Sequence, residues 1–191
     1  MPVLTMTLKK LSRALLLLTI CAGAAAAQDS RCTLKLAELA QPAELRGFRV
    51  GMTAEEVRAR LPKAQLPRAD EFGFASLNIF PDYEAGIDKK SFEGVRTVSL
   101  DFLDNRVTGV WIGYDKTFKW QTIDEFVAGI TAALKLPDSW RTKFRSRLVD
   151  CADFTVAVIP VGESPSVKIT SDAARALLDE RKAAKEEAAQ P

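Results

Sequence analysis

The sequence contains no histidine in its 191 residues. Histidine supplies the general base of hydrolytic triads and is the commonest nitrogen ligand of metals, so His-based triads and His-containing metal sites are excluded. A glycine-rich phosphate-binding loop is also missing, which removes the usual signature of a nucleotide-binding protein. We therefore expect a protein that is not an enzyme and that carries no cofactor or metal.

Long apolar runs are scarce, and the clearest one lies near the N-terminus. Three basic residues precede the run Ala14–Ile20, and alanines ending at Ala27 supply the small residues that signal peptidase requires. The run is shorter than the roughly 20 residues of a membrane span. We predict that residues 1–27 are a cleaved signal peptide, that the mature protein is periplasmic or secreted, and that no transmembrane segment remains after cleavage.

An excess of charge of one sign is missing from the predicted mature chain. The full sequence has 27 basic and 25 acidic residues, but three of the basic residues, Lys9, Lys10 and Arg13, belong to the predicted signal peptide. Cleavage leaves 24 basic against 25 acidic residues. A nucleic-acid-binding surface normally carries a basic excess, so we expect no nucleic-acid partner.

Cysteine is rare, and two of the three cysteines, Cys32 and Cys151, follow the predicted signal peptide. An even pair of cysteines in an exported chain favours a disulfide over two free thiols. The bridge would close a loop of roughly 120 residues and stabilise the fold by about 4–5 kcal/mol. Cys21 precedes the cleavage site, and the bulky Ile20 before it departs from the small residue of a lipoprotein signal.

Two Thr-x-x-Glu capping boxes mark the clearest helices. Thr53 and Glu56 can exchange hydrogen bonds at the start of a helix over Ala54–Leu61, which Pro62 ends. The same box opens a helix over Thr122–Leu136, whose apolar residues form one broad stripe.

Alternating apolar residues predict five strands and one tight hairpin. Asp104 and Asn105 tolerate the positive φ of a two-residue turn. Counting outward from that turn pairs Phe102 with Val107 and places Trp111 opposite Val98, on the apolar face. The predicted strands are Phe72–Phe80, Val95–Leu103, Val107–Tyr114, Leu148–Ile159 and Ser166–Thr170.

The order of elements predicts an α+β fold with a largely antiparallel sheet and helices packed on one face. Because a capped helix precedes each group of strands, a duplicated αβββ unit is a further interpretation. We assign residues 28–178 to a single domain, with a third helix starting at Ser171 or Asp172. Residues 179–191 have no apolar stripe and are expected to form a charged helical or frayed tail.

The segment Gly51-Met52-Thr53-x-x-Glu56-Val57-x-x-x-Leu61 resembles a motif of small SmpA/OmlA-type envelope proteins and of the β-lactamase-inhibitor-like fold. The resemblance implies a helical pair packed on an antiparallel sheet in an exported binding or scaffolding protein. It carries over no functional residue. The chain departs from the motif at Pro62, where the family has glycine, and has no convincing lipoprotein cysteine.

The stretch Trp111–Trp120 is the main candidate for a partner surface. Its aromatic residues alternate with charges, as at many protein-binding hot spots, whereas the alternative interpretation places them in the core. Tyr83 belongs to a second candidate region, the loop Pro81–Ser91. A basic strip follows at residues 141–147 and could meet an acidic partner or phospholipid headgroups, or be a solvated edge strand. The candidate surface residues are Trp111, Tyr114, Phe118, Trp120 and Tyr83.

We therefore expect an exported, non-enzymatic module that binds another envelope or secreted protein. Inhibition of a secreted hydrolase is one form of this function. The alternative is a carrier of a small molecule or lipid, held in a cavity between helices and sheet. A carboxylate enzyme is the third hypothesis, and its candidate residues are Asp82, Asp88, Asp101 and Asp104.

Overall fold

The computed structural model describes residues 31–161 and 164–189, so the predicted signal peptide lies outside the described residues. The described chain forms an antiparallel sheet of seven strands with three α-helices, which confirms the α+β class. The helices are α1 Ala54–Arg60, α2 Ile123–Leu134 and α3 Asp172–Ala188. The strands are β1 Phe74–Ile79, β2 Val95–Leu103, β3 Arg106–Tyr114, β4 Arg141–Lys143, β5 Ser146–Asp150, β6 Phe154–Val161 and β7 Ser164–Ser171.

Both predicted capping boxes are present. The Thr53 hydroxyl accepts from the amide of Glu56 at 3.1 Å, and the Glu56 carboxylate accepts from the amide of Thr53 at 2.7 Å. Thr122 and Glu125 make the same reciprocal pair at the start of α2. Each box satisfies amide groups that a helix start would otherwise leave without partners.

The strands lie in the order β1-β2-β3-β7-β6-β5-β4, and every neighbouring pair is antiparallel. The strands β3 and β7 meet at the centre of the sheet. Residues on one face, which we call the inner face, pack into the main core with Val57 of α1 and Phe126, Ile130 and Leu134 of α2. We call the opposite side the outer face.

The pairing between β2 and β3 contains a β-bulge that the sequence did not reveal. Phe102 pairs with Val107 as predicted, but Asp101 pairs with Gly109, so Thr108 is an extra residue in β3. The Thr108 hydroxyl donates to the main-chain oxygen of Asp101 at 3.2 Å. Because one extra residue exchanges the two faces, the predicted pairing of Trp111 with Val98 is wrong, and Trp111 points to the outer face.

The predicted strand Leu148–Ile159 is two strands, β5 and β6, joined by a turn at Cys151. The amide of Cys151 donates to the main-chain oxygen of Phe154 at 2.8 Å, which closes the turn. The short strand β4 then pairs with β5 at the edge of the sheet. The solvated edge strand considered for the basic strip is therefore confirmed for Arg141–Lys143.

The disulfide between Cys32 and Cys151 is present, as predicted. It fixes the N-terminal segment beside the turn between β5 and β6, where the amide of Leu36 donates to the Asp153 carboxylate at 2.7 Å. The segment continues over the inner face and buries Leu45 and other apolar side chains in the core.

The prediction that all helices pack on one face is wrong for α3. Ala174 and Leu178 of α3 line a cleft together with Phe74 and Leu103, whose side chains point to the outer face. Leu103 is buried there at 6% exposure. The helix continues beyond residue 178 to Ala188. Arg181 donates to the Asp104 carboxylate at 2.7 and 2.9 Å, and these hydrogen bonds hold the predicted tail against the β2–β3 turn.

Candidate functional site

One row of paired residues crosses the outer face of all seven strands, and none of its members is buried. Six strand intervals of about 4.8 Å give this row a length of about 29 Å. The neighbouring row on the inner face includes Ile79, Val98 and Ile112, which are fully buried. We call the outer row the open face; it consists of Asn78, Ser99, Trp111, Lys168, Ala157, Leu148 and Arg141.

Trp111 lies near the middle of the open face, on the central strand β3. Its cross-strand partners are Ser99 and Lys168, and its neighbours on the same face of β3 are Gly109 and Gly113. The large indole ring is therefore surrounded by smaller or flexible side chains. The indole nitrogen is inaccessible to solvent and has no hydrogen-bond acceptor, a condition that costs about 1–3 kcal/mol for a buried donor.

Close packing between β2 and β3 accounts for the glycines beside Trp111. A Cβ atom at Gly109 would lie 2.9 Å from the Asp101 carboxylate, and one at Gly113 would lie 2.8 Å from the Thr97 methyl group. Larger residues at these positions would push the strands apart or displace the side chains beside the indole. Because glycine has no side chain, nothing projects from the outer face of β3 at the positions on either side of Trp111.

The polar groups around Trp111 are largely paired with one another. Asp101 accepts from the Ser76 hydroxyl at 3.0 Å and lies 3.5 Å from the Lys168 ammonium group. The Ser99 hydroxyl donates to the side-chain oxygen of Asn78 at 2.5 Å. The open face therefore presents an aromatic ring among mutually satisfied polar groups, which suits contact with a protein surface.

The remaining aromatic residues of Trp111–Trp120 are not brought together with Trp111. Tyr114 is fully buried and Phe118 is 7% exposed, so their assignment to a partner surface is corrected: both belong to the core. Trp120 is half-buried and packs edge-on against Phe126 of α2. The physical reason is the two-residue period of a strand, which turns Trp111 outward and Tyr114 inward.

Burial fixes the chemistry of Tyr114. Its hydroxyl donates to the main-chain oxygen of Glu44 at 2.9 Å. Removal from water disfavours the phenolate, so burial raises the pKa of Tyr114 far above its ordinary value. Tyr114 thus anchors the N-terminal segment to β3.

Tyr83 is the most exposed of the predicted surface aromatics at 89%. It lies in the loop after the edge strand β1, whereas Trp111 lies on the central strand β3. The two residues therefore belong to different parts of the molecular surface.

The candidate carboxylates for an enzyme are dispersed, and three of them have evident structural partners. Asp88 caps the short 3₁₀ helix Lys89–Phe92 by accepting from the amide of Lys90. Asp101 faces Lys168, and the hydrogen bonds from Arg181 hold the pKa of Asp104 below its ordinary range. Asp82 lies exposed in the loop before Asp88. Within residues 31–161 and 164–189, no group of three His, Cys, Asp or Glu side chains forms a potential metal site.

A cleft between α1 and the strands β1 and β2 has a volume of about 240 Å³. Ala54, Arg58, Leu66, Ala75 and Phe102 are among its lining residues. Pockets that hold drug-sized ligands usually measure about 300–1,000 Å³. The cleft is thus the size of a small fragment rather than of a lipid.

Sequence reasoning overlooked the most exposed aromatic residue, Phe144, which is 92% exposed at the tip of the β4–β5 hairpin. The sequence feature that could have identified Phe144 as exposed was its position inside the basic strip, between Lys143 and Arg145. In the part of the chain that the structure covers, no helix combines the length and apolar character needed to cross a membrane. No protein-family model, curated protein or solved structure matches this chain.

Proposed function

We propose that this protein is an exported, non-enzymatic module that binds another protein of the cell envelope through the open face. The observation that carries the proposal is Trp111, a large aromatic residue that lies near the middle of a solvent-reached sheet face with an unpaired indole donor. Tryptophan is enriched among the few residues that dominate binding energy, especially near the centre of an interface.

The form of the open face agrees with a protein partner. Its length of about 29 Å across the strands is comparable with one dimension of a standard interface, which buries about 800 Å² on each partner. Leu148 and Ala157 extend the row with apolar surface, while Asn78 and Arg141 place polar groups at its two ends. Ser99 and Lys168 flank Trp111, so the row mixes apolar and polar groups, as non-obligate protein interfaces commonly do.

The proposal includes the finer features of the fold and location. The run α1-β1-β2-β3 ends in β3, and the run α2-β4-β5-β6-β7, which has β4 as an additional strand, ends in β7. Because β3 and β7 pair antiparallel, this arrangement supports a duplicated αβββ unit. The disulfide supports an oxidising compartment. The similarity of Gly51–Leu61 to a motif of small envelope proteins supports a binding or scaffolding role. If the partner is a secreted hydrolase, we expect the purified protein to lower the activity of that hydrolase.

Site-specific photocrosslinking in intact cells tests the proposal. A photoreactive residue is placed at Asn78 or Ala157, on either side of Trp111, and at Ala128 on the solvent side of α2 as a matched control. We expect the same protein adduct from both open-face positions, loss of that adduct on Trp111→Ala, and no such adduct from position 128.

Adducts of equal yield from position 128, or adducts that persist unchanged in the Trp111→Ala variant, would contradict the proposal. The carrier hypothesis makes a different prediction, namely a bound small molecule in the native mass spectrum and no open-face adduct.

A further inference from the structure

The β4–β5 hairpin presents an apolar side chain to solvent at its tip. Lys143 pairs with Ser146, so Phe144 and Arg145 form a two-residue loop. All residues from Arg141 to Arg145 are exposed, and Phe144 has 92% of its surface in water. The Phe144 ring therefore contributes nothing to the described core.

The backbone at Phe144 also disfavours this residue type. Its φ angle is +55°, in the left-handed region where glycine or asparagine is usual in a two-residue hairpin. The β2–β3 turn has positive φ at both loop residues, Asp104 and Asn105, at +51° and +62°, whereas the β4–β5 loop has it only at Phe144. Phenylalanine at the β4–β5 tip thus runs against both local conformation and burial, and such outliers are typical of functional positions.

Positive charges flank the exposed ring. Arg141 pairs with Asp150 at 2.6 Å, and Arg147 lies 3.9 Å from Asp124. Lys143 and Arg145, the immediate neighbours of Phe144, have no salt bridge to any residue that the structure describes. The tip therefore combines one apolar ring with two cations that are free to bind an anionic surface.

The adjoining strand adds apolar surface at the same end of the sheet. Arg147 pairs with Val158, so the last residues of β6 continue alongside the hairpin tip. These residues, Ile159–Val161, are half-buried and apolar. The hairpin tip and the end of β6 together form a corner with apolar groups and a basic border.

We propose that this corner binds the surface of an anionic lipid bilayer, with Phe144 inserted among the headgroups and Lys143 and Arg145 in contact with lipid phosphates. Phenylalanine is one of the apolar side chains that surface-bound proteins bury at the boundary between headgroups and acyl chains, and nearby lysines and arginines are attracted to anionic leaflets. Single-stranded nucleic acid would instead call for a groove with several stacking aromatics, and the tip has one.

The corner is separate from Trp111 in sequence and on the sheet, and its proposal does not depend on the open face. Vesicle binding and protein crosslinking therefore fail or succeed independently.

Vesicle co-sedimentation of the protein purified from its native cells tests the inference. Vesicles contain phosphatidylglycerol with phosphatidylcholine, or phosphatidylcholine alone. We expect binding to the anionic vesicles that weakens as salt is raised from about 0.1 to 0.5 M, because screening shortens the range of the attraction. All variants share the same N-terminus, so differences between them report on the substituted residues.

Phe144→Asn removes the ring and suits the positive φ angle, so its fold is preserved and its urea midpoint does not fall. We expect this variant to lose about tenfold or more in partition coefficient, as burial of a phenylalanine side chain would predict. The variant Lys143→Ser/Arg145→Ser is expected to lose about 25-fold, from about fivefold for each cation. Tyr83→Ser is the matched control for an exposed aromatic residue, and it should bind like the native protein.

The proposal is overturned if Phe144→Asn binds anionic vesicles as well as the native chain does, or if Tyr83→Ser loses as much as Phe144→Asn. It is equally overturned if binding to phosphatidylcholine alone matches binding to anionic vesicles. Selective binding of the corner to an acidic peptide or to single-stranded nucleic acid, with no vesicle binding, would assign it to that other partner.

Discussion

Removal of the Cys32–Cys151 disulfide is expected to lower the free energy of unfolding by about 5 kcal/mol. The two cysteines are 119 residues apart, and the chain-entropy model gives about 4.9 kcal/mol at 25 °C for a loop of that size. The loop contains α1, α2 and five of the seven strands, so its closure restricts most of the unfolded chain. Domains of this size usually have a stability of about 5–15 kcal/mol, so the bridge accounts for a large share.

Urea unfolding of the native chain and of Cys32→Ala, Cys151→Ala and the double variant measures this contribution. Either single substitution removes the same bridge, so the three variants are expected to lose nearly equal stability rather than additive amounts. Hydrogen bonds such as that from the amide of Ala152 to the Leu34 oxygen, at 3.1 Å, persist in the folded variants.

A loss below about 1 kcal/mol in the double variant would refute the chain-entropy argument. If the double variant lost as much unfolding free energy as the two single variants together, the assignment of a common bridge would be refuted.

Three further substitutions test other parts of the structure. A Cβ atom at Gly129 would lie 2.1 Å from the Trp120 ring, so Gly129→Ala is expected to lower the unfolding free energy by about 1–3 kcal/mol in urea titration, although alanine favours helix. Phe144→Asn is expected to raise the unfolding free energy by about 1 kcal/mol, because asparagine tolerates the left-handed conformation. The pKa of Asp104 is lowered chiefly by its hydrogen bond from Arg181. The stabilisation of the fold by this pair is therefore present above the ordinary carboxylate pKa and is lost as the pH falls through the lowered value. We expect Arg181→Ala to lower the unfolding free energy at neutral pH, and the difference in unfolding free energy from the native chain to shrink in acid.

Local signals in the sequence were sufficient for the helix starts and one turn. The hydroxyl of Thr53 and the carboxylate of Glu56 need only a three-residue spacing to cap α1, and Asp104-Asn105 needs only its own tolerance of positive φ. The even pair of cysteines after the predicted signal peptide was likewise enough to predict the bridge between Cys32 and Cys151. Each of these features depends on chemistry within a few residues or on a single pair.

Features that depend on tertiary contacts were missed. The extra residue Thr108 does not visibly interrupt the alternating sequence pattern of β3. It nevertheless reverses the face of the sheet to which Trp111 points, so Trp111 lies on the outer face and not in the core. The second half of α3 has no apolar stripe, and it docks through Arg181, whose partner Asp104 is 77 residues away. Neither the bulge nor the ion pair has a local sequence signature.

Binding measurements with the crosslinked partner would test the central claim most directly, which is that Trp111 anchors a protein on the open face. The affinity of that partner is measured for the native chain, for Trp111→Ala and for Tyr83→Ala, together with the unfolding free energy of each. We predict that Trp111→Ala weakens binding by about 30-fold or more, equivalent to about 2 kcal/mol, while remaining folded, and that Tyr83→Ala changes affinity less than about twofold. Unchanged affinity in folded Trp111→Ala protein would contradict the account.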